Sequence, residues 1–166
     1  ELAEVIAGQR ELDSGEVFLD EEPISDLSVA ARQKRGIRYV TDDRHGEGTV
    51  GVLSISLNTV LKRVGQRPFW RRALVRHSLI REFAADLVRV HDVRTPHEEV
   101  PISNLSGGNV QKVVVGRELA MEPRVVVYNK PTYGLDVKTA EVVLARITAQ
   151  AKQGTVAVLI STELDE

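Results

Sequence analysis

Asn104-Leu105-Ser106-Gly107-Gly108-Asn109-Val110-Gln111-Lys112 joins a polar turn to a long helical run. A serine and two adjacent glycines stand ahead of a run that reads as a helix through Glu122. Glycine has no Cβ, so backbone N–H groups at such a helix start lie bare, and the helix dipole favours negative charge there. The Ser106 hydroxyl adds a donor, and Lys112 follows on the first turns. The pattern predicts an anion-binding helix N-terminus. The plainer reading of Ser-Gly-Gly taken alone is a flexible loop closed by an N-cap.

Two further stretches stand in order around it: Tyr39-Val40-Thr41-Asp42-Asp43-Arg44 upstream and Pro131-Thr132-Tyr133-Gly134-Leu135-Asp136 downstream. The central string resembles the signature loop of ATP-binding-cassette (ABC) ATPases, usually written LSGGQ and here LSGGN followed by Val-Gln-Lys. The downstream stretch resembles that family's passage from Walker B to the D-loop, and the upstream one stands where its Q-loop belongs. The resemblance covers the chain almost end to end. It implies an α/β fold, the ABC ATPase nucleotide-binding domain, with a mainly parallel sheet and an inserted α-helical subdomain. The implied division is a partial ATPase core with the Q-loop region over residues 1–48 and a helical subdomain over 49–104. Residues 105–166 then carry the signature helix, the Walker B-like strand, the D-loop and the H-loop region.

Bulk properties agree with one domain, or most of one: 166 residues, 42% hydrophobic and 28% charged. A net charge of −2 gives no reason to expect a nucleic-acid partner. Without cysteine, the chain has no disulfides and no thiol chemistry. No apolar run approaches the roughly 18 residues that span a bilayer. Residues 1–8 read as the middle of a helix, with Leu2, Val5 and Ile6 on one side and no N-cap. Glu163-Leu164-Asp165-Glu166 read as a helix about to begin. The expectation is a fragment cut inside secondary structure at both ends. No Walker A sequence, G-x-x-x-x-G-K-[ST], occurs in these residues, and the family would place it just before Glu1.

Between the motifs, residues 16–20 alternate like a strand, Ser28 is an N-cap for a short helix closed by Gly36, and residues 37–40 read as a buried strand. Residues 74–91 carry Ile80, Phe83, Ala84 and Leu87 at helical spacing. Ahead of them lies a basic segment, Lys62, Arg63, Arg67, Arg71, Arg72, Arg76 and Arg81, with no acid from Thr59 to Arg81. It is either a solvated face or a surface that meets anionic lipid or a permease. Trp70 in its midst is expected in the core. Residues 124–128 read as a central strand, 139–152 as a helix and 155–160 as another apolar strand. The four histidines, His45, His77, His91 and His97, lack metal-ligand spacing and are expected at the surface.

The resemblance assigns roles to residues. Leu105, Ser106, Gly107, Gly108 and Asn109 would contact ATP held by a partner cassette, and Asp136 belongs to the D-loop. Asp42 takes the place of the Q-loop glutamine, in a context that looks like the second cassette of ribose-, galactose- and nucleoside-type uptake systems. A carboxylate is a competent magnesium ligand, and the other reading of this segment is a solvated polar turn. Asn129 and Lys130 stand where Walker B carries a magnesium-binding aspartate and a water-polarising glutamate. Thr162 stands where the H-loop histidine belongs. Lysine is no general base at neutral pH unless its pKa is strongly depressed, and it repels magnesium.

The function implied is therefore a degenerate, second nucleotide-binding cassette of a sugar or nucleoside importer. ATP and magnesium would be its cofactors, and both would be weak or absent in these residues alone, which are expected to hydrolyse no ATP. Its partners would be a second cassette and transmembrane permease subunits, with no nucleic acid. Its place would be cytoplasmic, peripheral on the inner face of the membrane. The alternatives are a non-transport ABC ATPase, which should show a basic nucleic-acid surface or a long coiled coil, and a structural cassette without nucleotide contact.

Overall fold

The computed structural model describes residues 1–162; the helix start expected over residues 163–166 lies outside the described residues. Three strands form the central sheet: β3 (Ile37–Val40), β6 (Val125–Asn129) and β7 (Val156–Ile160) run parallel in the order β3-β6-β7. Their register pairs Tyr39 with Val127 and Val127 with Val158. Strand side chains alternate between faces, and the sequence fills both faces with apolar groups. Tyr39, Val127, Val158 and Ile160 meet α1 (Leu2–Ala7) on one face. Val40, Val126, Tyr128 and Ala157 lie on the other, where the larger core continues into α5 (Gly107–Leu119) and α6 (Val137–Lys152) through Val110, Val113, Val114, Val143 and Ile147.

Helix α1 buries Ala3 and Ala7 and packs Ile6 against the same cluster, while Leu2, expected on the side of Ile6, is 64% exposed. Arg32 in α2 (Val29–Lys34) holds the end of α1: its guanidinium donates to the Val5 and Ile6 carbonyls at 2.6 and 2.9 Å, and to Ser25 and Leu27 carbonyls. Carbonyls at a helix C-terminus have no intrahelical partner, and a cation there also opposes the dipole. Ser28 caps α2 as expected, and Gly36 follows it at φ +89°. The strand expected over residues 16–20 is only β1 (Phe18–Leu19), turned back on β2 (Glu22–Pro23) by Asp20 and Glu21 at positive φ.

Between β3 and α5 lie α3 (Ile55–Thr59), the 3-10 turn Leu61–Arg63, a small hairpin of β4 (Trp70–Arg71) and β5 (Leu74–Val75), and α4 (His77–Val90). The helix expected from residue 74 thus starts at 77, because Arg72 and Ala73 turn the chain at φ 49° and 64° and pair Leu74 with Arg71. Ile80, Ala84 and Leu87 are buried as their spacing predicts. Phe69, not Trp70, is the core aromatic: it packs with Val60 and Ile80, while Trp70 is half-buried at the edge of that cluster. Arg63 lies over the Phe69 and Phe83 rings.

Candidate functional site

Parallel strands end at the same sheet edge, and residues just past their C-termini meet there. Asp42 follows β3, and Asn129 closes β6 with Lys130 next. Asn129 Nδ2 donates to Asp42 Oδ1 at 2.8 Å and lies 3.3 Å from the Tyr39 hydroxyl. Lys130 Nζ is 3.4 Å from Asp42 Oδ2. Lys130 has φ +45°, a left-handed conformation that non-glycine residues rarely adopt, fixed by its N–H to the Ile160 carbonyl at 2.8 Å. Burial raises the Tyr39 phenol above its ordinary pKa, against the hydrogen bond from Asn129. Three residues that sequence placed separately therefore form one polar cluster. Thr162 lies just past β7 at that edge and is exposed.

These groups do not fit a divalent cation. Both Asp42 oxygens already accept from nitrogen donors, one of them a cation, and Asn129 offers its amide N–H to the carboxylate. Among the described residues, no three His, Cys, Asp or Glu side chains gather into a metal-binding group.

The signature residues form a separate site at the start of α5. Ser106 is the N-cap in extended backbone (φ −64°, ψ 154°) and makes no side-chain cap bond; its Oγ instead accepts from Asn109 Nδ2 at 2.9 Å. Asn109 Oδ1 accepts the Arg94 N–H at 2.8 Å. The first-turn amides are thus left to other partners. Leu105 packs into the main core and anchors the loop. Both glycines lie at close approaches, tighter at Gly108 than at Gly107. A Cβ at Gly107 would lie 3.0 Å from Arg44 Nη2, and one at Gly108 would lie 2.8 Å from Thr139 Cγ2. Ser106, Gly108, Asn109, Lys112, Arg94 and Thr139 line a hollow of about 250 Å³. Lys112 Nζ donates to the carbonyl of Asp92, which lines the same hollow, at 2.7 Å. Asp136 caps α6, accepting the Thr139 amide and hydroxyl at 3.1 and 2.7 Å, and those bonds hold its carboxyl below the ordinary pKa.

Sequence reading missed Arg44 as a link. It donates to the Tyr133 carbonyl at 2.7 Å and reaches toward Gly134, so it ties the Asp42 loop to the residues ahead of Asp136 and lies against Gly107. A buried ion network was also missed. Glu118, fully buried, accepts from Lys62 Nζ at 2.8 Å and Arg117 Nε at 3.0 Å, joining the signature helix to the turn after α3. Arg117 also donates to the Gly48 and Asn58 carbonyls. Burial lowers the Lys62 pKa, opposed by Glu118. His91 is half-buried, not at the surface, with its ring against Gly116; burial first and Arg146 second lower its pKa to about 4.

Comparison with solved proteins places the fold. A dimeric post-hydrolysis ATP-binding cassette, MJ0796 bound to ADP and Pi, aligns with TM-score 0.78 at 21% identity, covering 99% of this chain and 69% of that one. A nucleotide-free ATP-binding cassette aligns with TM-score 0.80 at 19% identity, covering 99% and 66%. The fold is that of an ATP-binding cassette. A sequence profile of the ABC transporter family matches residues 1–133, and the chain belongs to that family. It is similar over its full length to the glucose import ATP-binding protein TsgD13 of Haloferax volcanii (36% identity, 30% of that protein) and the guanosine import ATP-binding protein NupO of Bacillus subtilis (34%, 32%). The ribose import ATP-binding protein RbsA of Geobacillus kaustophilus is 31% identical, with 33% of it covered. The chain spans about a third of the length of these relatives.

Proposed function

We propose that this chain is part of the ATP-binding protein of a sugar or nucleoside importer, and that it forms the second, degenerate cassette. Its signature loop, Leu105, Ser106, Gly107, Gly108 and Asn109, acts in trans on ATP held by a partner cassette, with Asp136 in the adjoining D-loop. The whole works with transmembrane permease subunits on the inner face of the membrane. The names of the relatives support the solute class. In this reading residues 1–48 and 105–166 are core and residues 49–104 the helical subdomain, which the separate Val60, Phe69 and Ile80 cluster supports.

The observation that carries the reading is an asymmetry. The signature loop is complete and its Ser106 makes no side-chain cap bond, while Asn129, Lys130 and Thr162 stand in place of the family's two Walker B acids and H-loop histidine. Phosphoryl transfer rests on positioning and charge neutralisation, so losing a magnesium ligand and a water-orienting acid costs orders of magnitude in rate. The cassette's own site is then a poor hydrolase, and the partner's site carries turnover.

The test is steady-state ATPase of the assembled transporter with Gly108→Asp. The added side chain puts negative charge where phosphate must approach backbone, but its Cβ also meets Thr139 Cγ2. Thr139→Ser removes that methyl and keeps the hydroxyl that bonds Asp136. Thr139→Ser alone should retain activity, and Gly108→Asp in that background should lose most of it. Near-normal activity of the double variant refutes action in trans.

A further inference from the structure

The cluster at the edge of the sheet does more than lack acids. It carries its own cation. Asp42 contributes one negative charge, Lys130 one positive charge, and Asn129 none, so the three side chains are neutral together. A carboxylate can only accept, so the Asn129 side chain must present its amide N–H to Asp42, which sends its donor, not its acceptor, toward the charged centre. Lys130 is held there by backbone as well as side chain: its N–H is fixed to Ile160 and its carbonyl accepts from the Tyr133 N–H at 3.1 Å. Its side chain is about one-third exposed and so remains within reach of an incoming anion.

We propose that Lys130 is a built-in monovalent cation that takes the place of a divalent metal at this edge of the sheet. The ammonium faces nucleotide phosphate directly, and Mg2+ is excluded. A divalent ion would have to displace a cation from the Asp42 carboxylate and would face the Asn129 amide N–H instead of an oxygen. The inference rests on the reading above that Asn129 and Lys130 stand at the Walker B acid positions, and it adds to that reading the charge species used there.

The experiment is Mn2+ titration of this chain, with Mn2+ as a paramagnetic probe for oxygen-ligated divalent sites, read as selective broadening of the Tyr39, Asp42 and Asn129 (or substituted) amide resonances. In the wild type these resonances should stay sharp. In Asn129→Asp/Lys130→Glu they should broaden at Mn2+ concentrations at least about tenfold lower than any that affect the wild type. Lys130→Gln, which only uncovers Asp42, serves if the double variant fails to fold, and should also broaden earlier than wild type. Broadening of the wild type at the same concentrations as the variants overturns the proposal. So does absence of broadening in every variant, because the ammonium would then not be what excludes the metal. The signature-loop assay is independent. Mn2+ binding to the wild type leaves action in trans standing, and normal activity of the Gly108 variant leaves the metal result standing.

Discussion

Glu118→Gln tests whether the signature helix is held by charge or by packing. Glu118 is fully buried in the last turn of α5, and one oxygen accepts from both Lys62 and Arg117 while Oε2 has no partner. Arg117 is 3% exposed and Lys62 25%, so the change strands one fully buried cation and one partly buried one. Removing one member of a buried pair costs about 3–5 kcal/mol. Glutamine keeps an acceptor at Oε1, and Lys62 reaches water, so the lower end applies: about 3 kcal/mol, or roughly 6–10 °C in Tm for a domain of this size. Lys62→Met alone leaves the Glu118–Arg117 contact and should cost less, about 1–2 kcal/mol. The double variant should fall short of additivity by about 1–2 kcal/mol, since the lysine stranded by Glu118→Gln is then gone. Urea titration of the four proteins reads this directly. A loss below about 0.5 kcal/mol for Glu118→Gln, or strict additivity, refutes the account.

His91 has a folded pKa of about 4 against an ordinary 6.5, so the unfolded chain takes up a proton that the folded one refuses. Stability is therefore full above pH 6.5 and falls as pH drops toward 4, by about 1–2 kcal/mol after allowing for partial exposure. His91→Gln should flatten the urea midpoint over that window, and an unchanged slope would reject the assignment. Arg44→Ala removes donors to the Tyr133 and Gly134 carbonyls, so amide exchange over residues 133–135 should quicken by about tenfold. Arg44→Lys should not restore it, because one ammonium cannot span two carbonyls; full rescue would contradict the fork geometry. Arg67, Arg71, Arg72 and Arg76 are all exposed, so reversing their charges should leave stability within about 0.5 kcal/mol. If this face meets the permease or anionic lipid, the reversal weakens membrane assembly; unchanged assembly would make it a solvated face only.

Strand β6 was legible because it is buried on both sides and reads as a short continuous apolar run over residues 125–128, and β3 is buried throughout although Arg38 interrupts its apolar run. Ser28 was legible because a cap is a local event. The hairpin of β4 and β5 was not. Its turn is Arg72-Ala73 at positive φ, with none of the glycine or asparagine that marks such turns, so Leu74 and Val75 read as the first turn of α4. Trp70 and Phe69 are neighbours, and which ring goes inward is set by Val60 and Ile80, which adjacency in sequence cannot decide. The buried Lys62, Arg117 and Glu118 run against the expectation that charged side chains lie outside, and 56 residues separate the lysine from its carboxylate, so no local pattern exposes the pair.

The candidate site divides the same way. Asp42, Asn129 and Lys130 each stood out as departures from a family pattern, but only the parallel register of β3 on β6, which pairs Val40 with Tyr128, brings them to one place. That register also explains why the substitutions act together. An asparagine beside a magnesium-binding carboxylate would be one weakened ligand, and a lysine alone would be one misplaced charge. With Asp42 two residues beyond β3 and Lys130 one beyond β6, the amide and the ammonium take one oxygen each. The cluster is self-satisfied, and reverting one member leaves the others mismatched: Asn129→Asp alone sets two carboxylates against each other beside one ammonium, and Lys130→Glu alone leaves two acids with only an amide between them. Restoring a pair of acids beside Asp42 without such a mismatch therefore requires both changes at once, whereas Lys130→Gln only uncovers Asp42. Arg44, two residues past Asp42, carries the same loop across to the residues ahead of Asp136 and to the Gly107 end of the signature helix. The Asp42 loop and the start of α5 are thus in direct contact through one side chain.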